Sequence, residues 1–181
     1  MDDLNFILII VGVIVLAVLY KAFFVDGKKS ADGRIDGRYI TREQLLKILS
    51  EFTPQKINKT RVEQGIQKEL GRVLKDNITL VREEYPLEEG RQIDFNIGDN
   101  KKYGVEVKVA KSLLKTTEWD RFQSQLRNYL THYKDENLIL VLFGSETEQK
   151  EARMHHVEEF CKKNKVHLIY KKIEYPTIEK V

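Results

Sequence analysis

The chain has one cysteine in 181 residues, Cys161, so it holds no internal disulfide and suits a reducing compartment. It also lacks an excess of either charge: 31 Lys and Arg stand against 28 Asp and Glu, a formal net charge of +3. A nucleic-acid partner would therefore be held by a local basic patch and a metal, not by the field of the whole molecule. There is no internal repeat, no low-complexity segment and no G-x-x-x-x-G-K-[ST] run, so no helicase or ATP-driven motor is encoded. His155 and His156 are adjacent on an expected helix and would point to different faces, which makes them poor joint metal ligands. Cys161 closes an apolar stripe with Met154, Val157 and Phe160 and reads as a small core hydrophobe.

One long apolar run is present. From Leu4 to Val25 the only polar side chains are Asn5, Tyr20 and Lys21. About 22 residues make roughly 33 Å of helix, enough to cross a hydrocarbon core. Asp2 and Asp3 precede the run and no small-residue cleavage site follows it, which favours an uncleaved anchor over a signal peptide. Lys21, Lys28, Lys29, Arg34 and Arg38 flank its C-terminal side. Positive-inside bias then predicts a single-pass membrane protein with residues 4–25 in the bilayer and the C-terminal domain in the cytoplasm. Residues 1–25 are thus read as the anchor. Residues 26–38, with Gly27, Gly33 and Gly37, read as a flexible linker, and residues 39–181 as one domain.

Within that domain, Thr41 to Gln44 opens a short helix carrying Leu45, Leu46, Ile48, Leu49 and Phe52 and stopped by Pro54. Thr60 to Glu63 opens a second, with Val62, Ile66, Leu70, Val73 and Leu74 on one stripe. A strand at about 78–83 follows. Then come two alternating segments, 91–97 and 103–109, joined by the turn-forming Gly98-Asp-Asn-Lys-Lys102. A helix from about Thr117 has an apolar face of Trp119, Phe122, Leu126, Tyr129, Leu130 and Tyr133. The run Leu138 to Phe143 is apolar throughout, as a strand covered on both faces would be. A helix at about 146–163 and a strand at 166–170 close the order α, α, β, β, β, α, β, α, β.

The hairpin carries the chemistry. With its turn centred near Asn100, antiparallel partners sum to about 200, which sets Asp94 opposite Glu106 and Gln92 opposite Lys108 on one polar face. Ile93, Phe95, Ile97, Val105, Val107 and Val109 form the other face, whose burial fixes the register. Two carboxylates and an ammonium gathered there suit a divalent metal beside a phosphate. The same pattern is also what the solvated side of an ordinary hairpin looks like.

From Thr60 to Gly144 the chain resembles the PD-(D/E)xK superfamily of restriction-endonuclease-like nucleases. Ile93-Asp94 matches the D after a hydrophobic residue, without the proline; Glu106-Val107-Lys108 matches (D/E)xK; Glu63 and Ile66 match the first helix; and Gln125-Leu-Arg-Asn-Tyr129 is similar to the QxxxY motif of RecB-like exonuclease domains. The resemblance implies an α/β fold, a restriction-endonuclease-like αβββαβ core with a mixed central sheet, here preceded by one N-terminal transmembrane helix. It implies a membrane-anchored, Mg²⁺- or Mn²⁺-dependent nuclease acting on DNA, RNA not being excluded. Asp94, Glu106 and the Val107 carbonyl would be metal ligands, and Glu63 an outer-shell or second-metal ligand. Lys108 would hold the attacking water or stabilise the transition-state charge, with Gln125, Tyr129 and Gln92 binding substrate or supporting the site.

Each piece has an ordinary counterpart. Glu63 stands three residues after Thr60 and could close a capping box, and Gln125 and Tyr129 could be boundary and core residues of one helix face. The rival functions are a membrane-tethered DNA- or protein-binding module that keeps the fold without turnover, and a structural domain with solvated charges. Self-association as a homodimer is left open.

Overall fold

A computed structural model describes residues 29–55 and 61–175, apart from the Glu89 side chain. The expected membrane anchor lies outside the described residues, among which no helix is long and apolar enough to cross a membrane.

Helix α1 (Arg42–Glu51) starts where the sequence expects it. Thr41 accepts from the Gln44 N–H while the Gln44 side chain accepts from the Thr41 N–H, a capping box. Helix α2 (Val62–Asn77) follows. Strand β1 (Val81–Pro86) begins three residues later than expected, because the Ile78 N–H is spent on the Leu74 carbonyl at 2.8 Å, ending α2. After a 3-10 turn (Glu88–Gly90) come β2 (Gln92–Ile97), β3 (Tyr103–Val109), a short α3 (Ala110–Leu113) and α4 (Thr116–His132). Strand β4 (Leu138–Gly144), α5 (Glu146–Gln149), α6 (Ala152–Lys163) and β5 (His167–Lys172) complete the domain. The single last helix of the sequence reading is two, the first held by its own capping box of Ser145 and Glu148.

The fold is mixed α/β around one five-stranded sheet of order β1-β2-β3-β4-β5. The first three strands pair antiparallel and the last three parallel. Parallel neighbours need a crossover, and right-handed crossovers that step the same way across a sheet put their helices on the same face. Helices α4 and α6 accordingly cover one face, where Trp119, Phe122, Leu126, Met154, Val157 and Cys161 pack on Leu138, Leu140 and Leu142. Helices α1 and α2 cover the other, where Leu45, Leu49, Ile66, Leu70 and Leu74 pack on Val105, Val107, Ile139, Val141 and Phe143. Strand β4 is buried along its whole length, as its unbroken apolar run requires. Gly71 lets α2 sit close on β2: a Cβ there would come within 3.0 Å of the Phe95 ring.

Three expectations need correction. The linker reading of 26–38 fails for its described part: the Ile35 N–H donates to the Asn77 carbonyl at 2.8 Å, its carbonyl accepts from Thr79 at 3.0 Å, and Arg38 holds the buried Asp36. One apolar residue and a charge pair anchor a segment whose average composition is that of a tether. The polar face of the hairpin is not its wet side, because α4 covers it and Glu106 is 1% exposed. Ile93 is buried, but with the α4 layer and not with Phe95. The β1–β2 ladder passes from Glu83–Phe95 to Tyr85–Ile93, and between these pairs Glu84 takes a positive φ of 46° opposite Asp94, where the alternation breaks.

Candidate active site

The turn does set antiparallel partners to a sum of 200, through Phe95–Val105, Asn96–Gly104 and Ile97–Tyr103. There the β2–β3 ladder stops, while β3 runs on beside β4 as far as Val109–Phe143. The far half of β3 therefore turns backbone N–H groups toward a gap, and acidic side chains fill it. Asp94 Oδ2 accepts from the Val107 N–H at 2.7 Å, and Glu63 of α2 accepts from the Val109 N–H at 3.1 Å. Side chains thus replace a missing strand.

Lys108 stands among the three acids. Its Nζ is 2.9 Å from Glu63 Oε1 and 3.2 Å from Glu106 Oε1, and lies 5.7 Å from the centre of the Phe122 ring. Gln125 of α4 donates to Glu106 Oε1 at 3.4 Å and to the Tyr129 hydroxyl, which in turn donates to the Gln92 carbonyl. Glu106 Oε2 is buried with no hydrogen-bond partner among the described residues.

These contacts set the charge states. Burial and the neighbouring Asp94 push the Glu106 carboxyl from its usual 4.5 up to about 8, against the pull of Lys108. Burial also raises Asp94, opposed by Lys108 and the Val107 N–H. Burial lowers the Lys108 ammonium, but Glu106, Glu63 and Asp94 outweigh it and hold it above the ordinary lysine value. Tyr129 is raised by burial and by Glu106, so it remains a neutral donor.

Of the residues read from the sequence, Asp94, Glu106, Lys108, Glu63, Gln125 and Tyr129 come together. Val107 joins through its backbone, its side chain being in the α2-facing core. Gln92 supplies its carbonyl to Tyr129, while its side chain is exposed beyond the paired stretch that was to set it against Lys108. For Glu63, Thr60 lies outside the described residues, α2 is capped at Arg61 with no side-chain hydrogen bond, and the carboxylate is engaged by β3. Two residues were missed: Phe122, read only as core, and Gln67, whose amide faces Asp94. The signal for Gln67 was its i,i+4 spacing from Glu63 on one face of α2.

Among the described residues no three His, Cys, Asp or Glu side chains converge as a ready metal cluster. The donor set nevertheless fits a hard cation. Mg²⁺ takes one or two carboxylates and fills its remaining positions with water and phosphate oxygens, and Glu106 offers an orphaned buried oxygen beside Asp94.

Comparison with family models, with curated proteins and with solved structures yields no match.

Proposed function

We propose that this chain is a membrane-anchored, metal-dependent nuclease of the PD-(D/E)xK type that hydrolyses DNA phosphodiester bonds. The observation that carries the reading is Glu106: a carboxylate buried to 1% beside a second carboxylate, with one oxygen unpartnered and an ammonium 3.2 Å from the other. Burying such a group costs stability even with Lys108 beside it, and an apolar side chain of similar volume would serve the fold as well or better.

Asp94 and Glu106 would hold Mg²⁺ or Mn²⁺, with the Val107 carbonyl adjoining and Glu63 beyond Lys108. When bound, the ion supplies Lewis acidity to the phosphate and lowers the pKa of a water. In the metal-free site Glu106, Glu63 and Asp94 hold Lys108 as an ammonium, and in that form it would donate to a phosphate oxygen whose charge grows in the transition state. Glu63 and Phe122 orient that ammonium, while Gln125, anchored through Tyr129 to β2, orients Glu106. The apolar run 4–25 would anchor the domain, with the basic flank on the cytoplasmic side.

The test is incubation of the full chain in detergent micelles with labelled duplex, single-stranded and circular DNA, with Mg²⁺, Mn²⁺ or EDTA. Metal-dependent cleavage lost in the Asp94→Asn variant is expected. Binding without cleavage would make the domain a tethering module, and neither would end the nucleic-acid reading.

A further inference from the structure

Two clefts flank the carboxylate cluster, and they differ in charge. The one toward α2, about 410 Å³, includes Glu83, Glu84 and Asp94 against a single cation, Lys68. The one toward α4, about 460 Å³, is lined by Arg91, Gln92, Arg121, Ser124 and Gln125, with no acidic side chain. Arg121 and Gln125 also line the small cavity, about 120 Å³, that contains Glu63 and Lys108. The basic cleft therefore borders the cavity of the candidate site.

The spacing of the two arginines follows from the elements that carry them. Arg91 precedes Asp94 by three residues where the chain enters β2, roughly 10 Å of extended backbone. Arg121 precedes Gln125 by one turn of α4, about 6 Å along the axis. Arg121 borders the cavity of Lys108 from one turn along α4 and Arg91 stands further out, so the pair is placed to span a phosphate next to the reacting one. The Arg91 guanidinium donates to the Ser124 carbonyl at 3.1 Å, which fixes it against α4 and leaves further N–H donors on its fork. The Arg121 side chain is 78% exposed, and its acid neighbour, Glu118, is 3.9 Å away in an exposed i,i+3 pair that holds it weakly. Guanidinium forks in such a setting match phosphate oxygens in geometry and charge.

We propose that Arg91 and Arg121 form a subsite for a non-scissile phosphate of the nucleic-acid strand. The strand then crosses the site along α4 and avoids the Glu83–Glu84 side, where the polyanion would meet like charge. This inference rests on the nuclease reading and gives it a direction: the bound strand extends mainly to one side of the cut.

The experiment measures binding of a labelled DNA oligonucleotide by the full chain in micelles containing EDTA, as a function of salt. Arg121→Gln is the main variant, because its exposure makes misfolding a minor concern; Arg91→Gln is accompanied by thermal melting, and Lys162→Gln on α6 is the remote control. Each arginine change should weaken binding about tenfold and lower the slope of log affinity against log salt by roughly 1, with Lys162→Gln changing neither. A single neutral methylphosphonate linkage is then moved along the oligonucleotide. One linkage beside the cleavage position should weaken binding to the wild type and weaken binding to the Arg121→Gln variant, which keeps Arg91, clearly less. If wild type cleaves DNA and every linkage affects variant and wild type equally, the subsite is overturned and the nuclease reading stands. If wild type neither binds nor cleaves, both fall together.

Discussion

Glu106 and Val107 are neighbours on β3, 1% and 0% exposed, and they point to opposite faces of the same sheet. Val107 enters the hydrophobic cluster under α1 and α2. Glu106 enters the layer under α4, which also buries Tyr129 with its hydroxyl bonded to Gln92, and Asn96 bonded to the Tyr133 hydroxyl at 2.9 Å. Equal burial has opposite energetic meaning on the two faces. The apolar layer stabilises the fold by removing hydrocarbon from water. The polar layer is held in place by that fold and draws on its stability, as a preorganised charge site does.

The largest effect should come from breaking the polar layer at its centre. Asp94→Asn, Glu106→Gln and Lys108→Ala should each lower metal-dependent cleavage by about 10²-fold or more while circular dichroism stays native, the scale of losing one transition-state stabiliser. Cleavage that survives any of them would assign the activity elsewhere. Breaking the apolar layer should do the reverse. Leu49→Ala on α1, with the side chain wholly buried and remote from the acids, should cost about 2–5 kcal/mol in denaturant unfolding while the folded fraction cleaves normally.

A subtler contrast lies in pH. Between its ordinary 4.5 and about 8, folded Glu106 keeps a proton that the unfolded chain has released. The stability tied to that proton is complete below about 4.5 and is lost as pH rises through about 8. Metal-free wild type should therefore weaken toward alkaline pH, and the Glu106→Gln variant should show a flatter curve and exceed it above pH 8 by on the order of 1–3 kcal/mol. Parallel curves would mean that Glu106 is not the buried acid described.

The smallest effect on cleavage should fall on Glu63, whose two oxygens accept from Lys108 and from the Val109 N–H. Glu63→Gln keeps one acceptor oxygen for these two donors, so it should cost about 1–3 kcal/mol of stability and raise the Mg²⁺ concentration required for cleavage. An unchanged metal requirement would reduce Glu63 to a support for Lys108 and its strand.

Much of this was legible in the residues. Alternation in 91–97 and 103–109 with a turn near Asn100 gave the pairing, since a slip of one residue would exchange core and polar faces. The apolar run of β4 announced a central parallel strand. What periodicity misread was Ile93, because a positive φ at Glu84 on the neighbouring strand is a tertiary accommodation that no local pattern in 91–97 carries. Composition equally missed the order of residues 29–38, which depends on Asn77 and Thr79, more than forty residues away for Ile35.

By itself the sequence determined which residues alternate, where helices start and which side chains hold charge, because propensity, capping and burial act over a few neighbours. Only the tertiary structure decided that the polar face lies under α4, that Glu63 reaches from α2 to β3, and that Arg91 and Arg121 share one cleft. Those facts depend on how helices and strands far apart in sequence settle against one sheet, and burial then converts ordinary Glu and Lys into a coupled site by withdrawing the water that would have screened them.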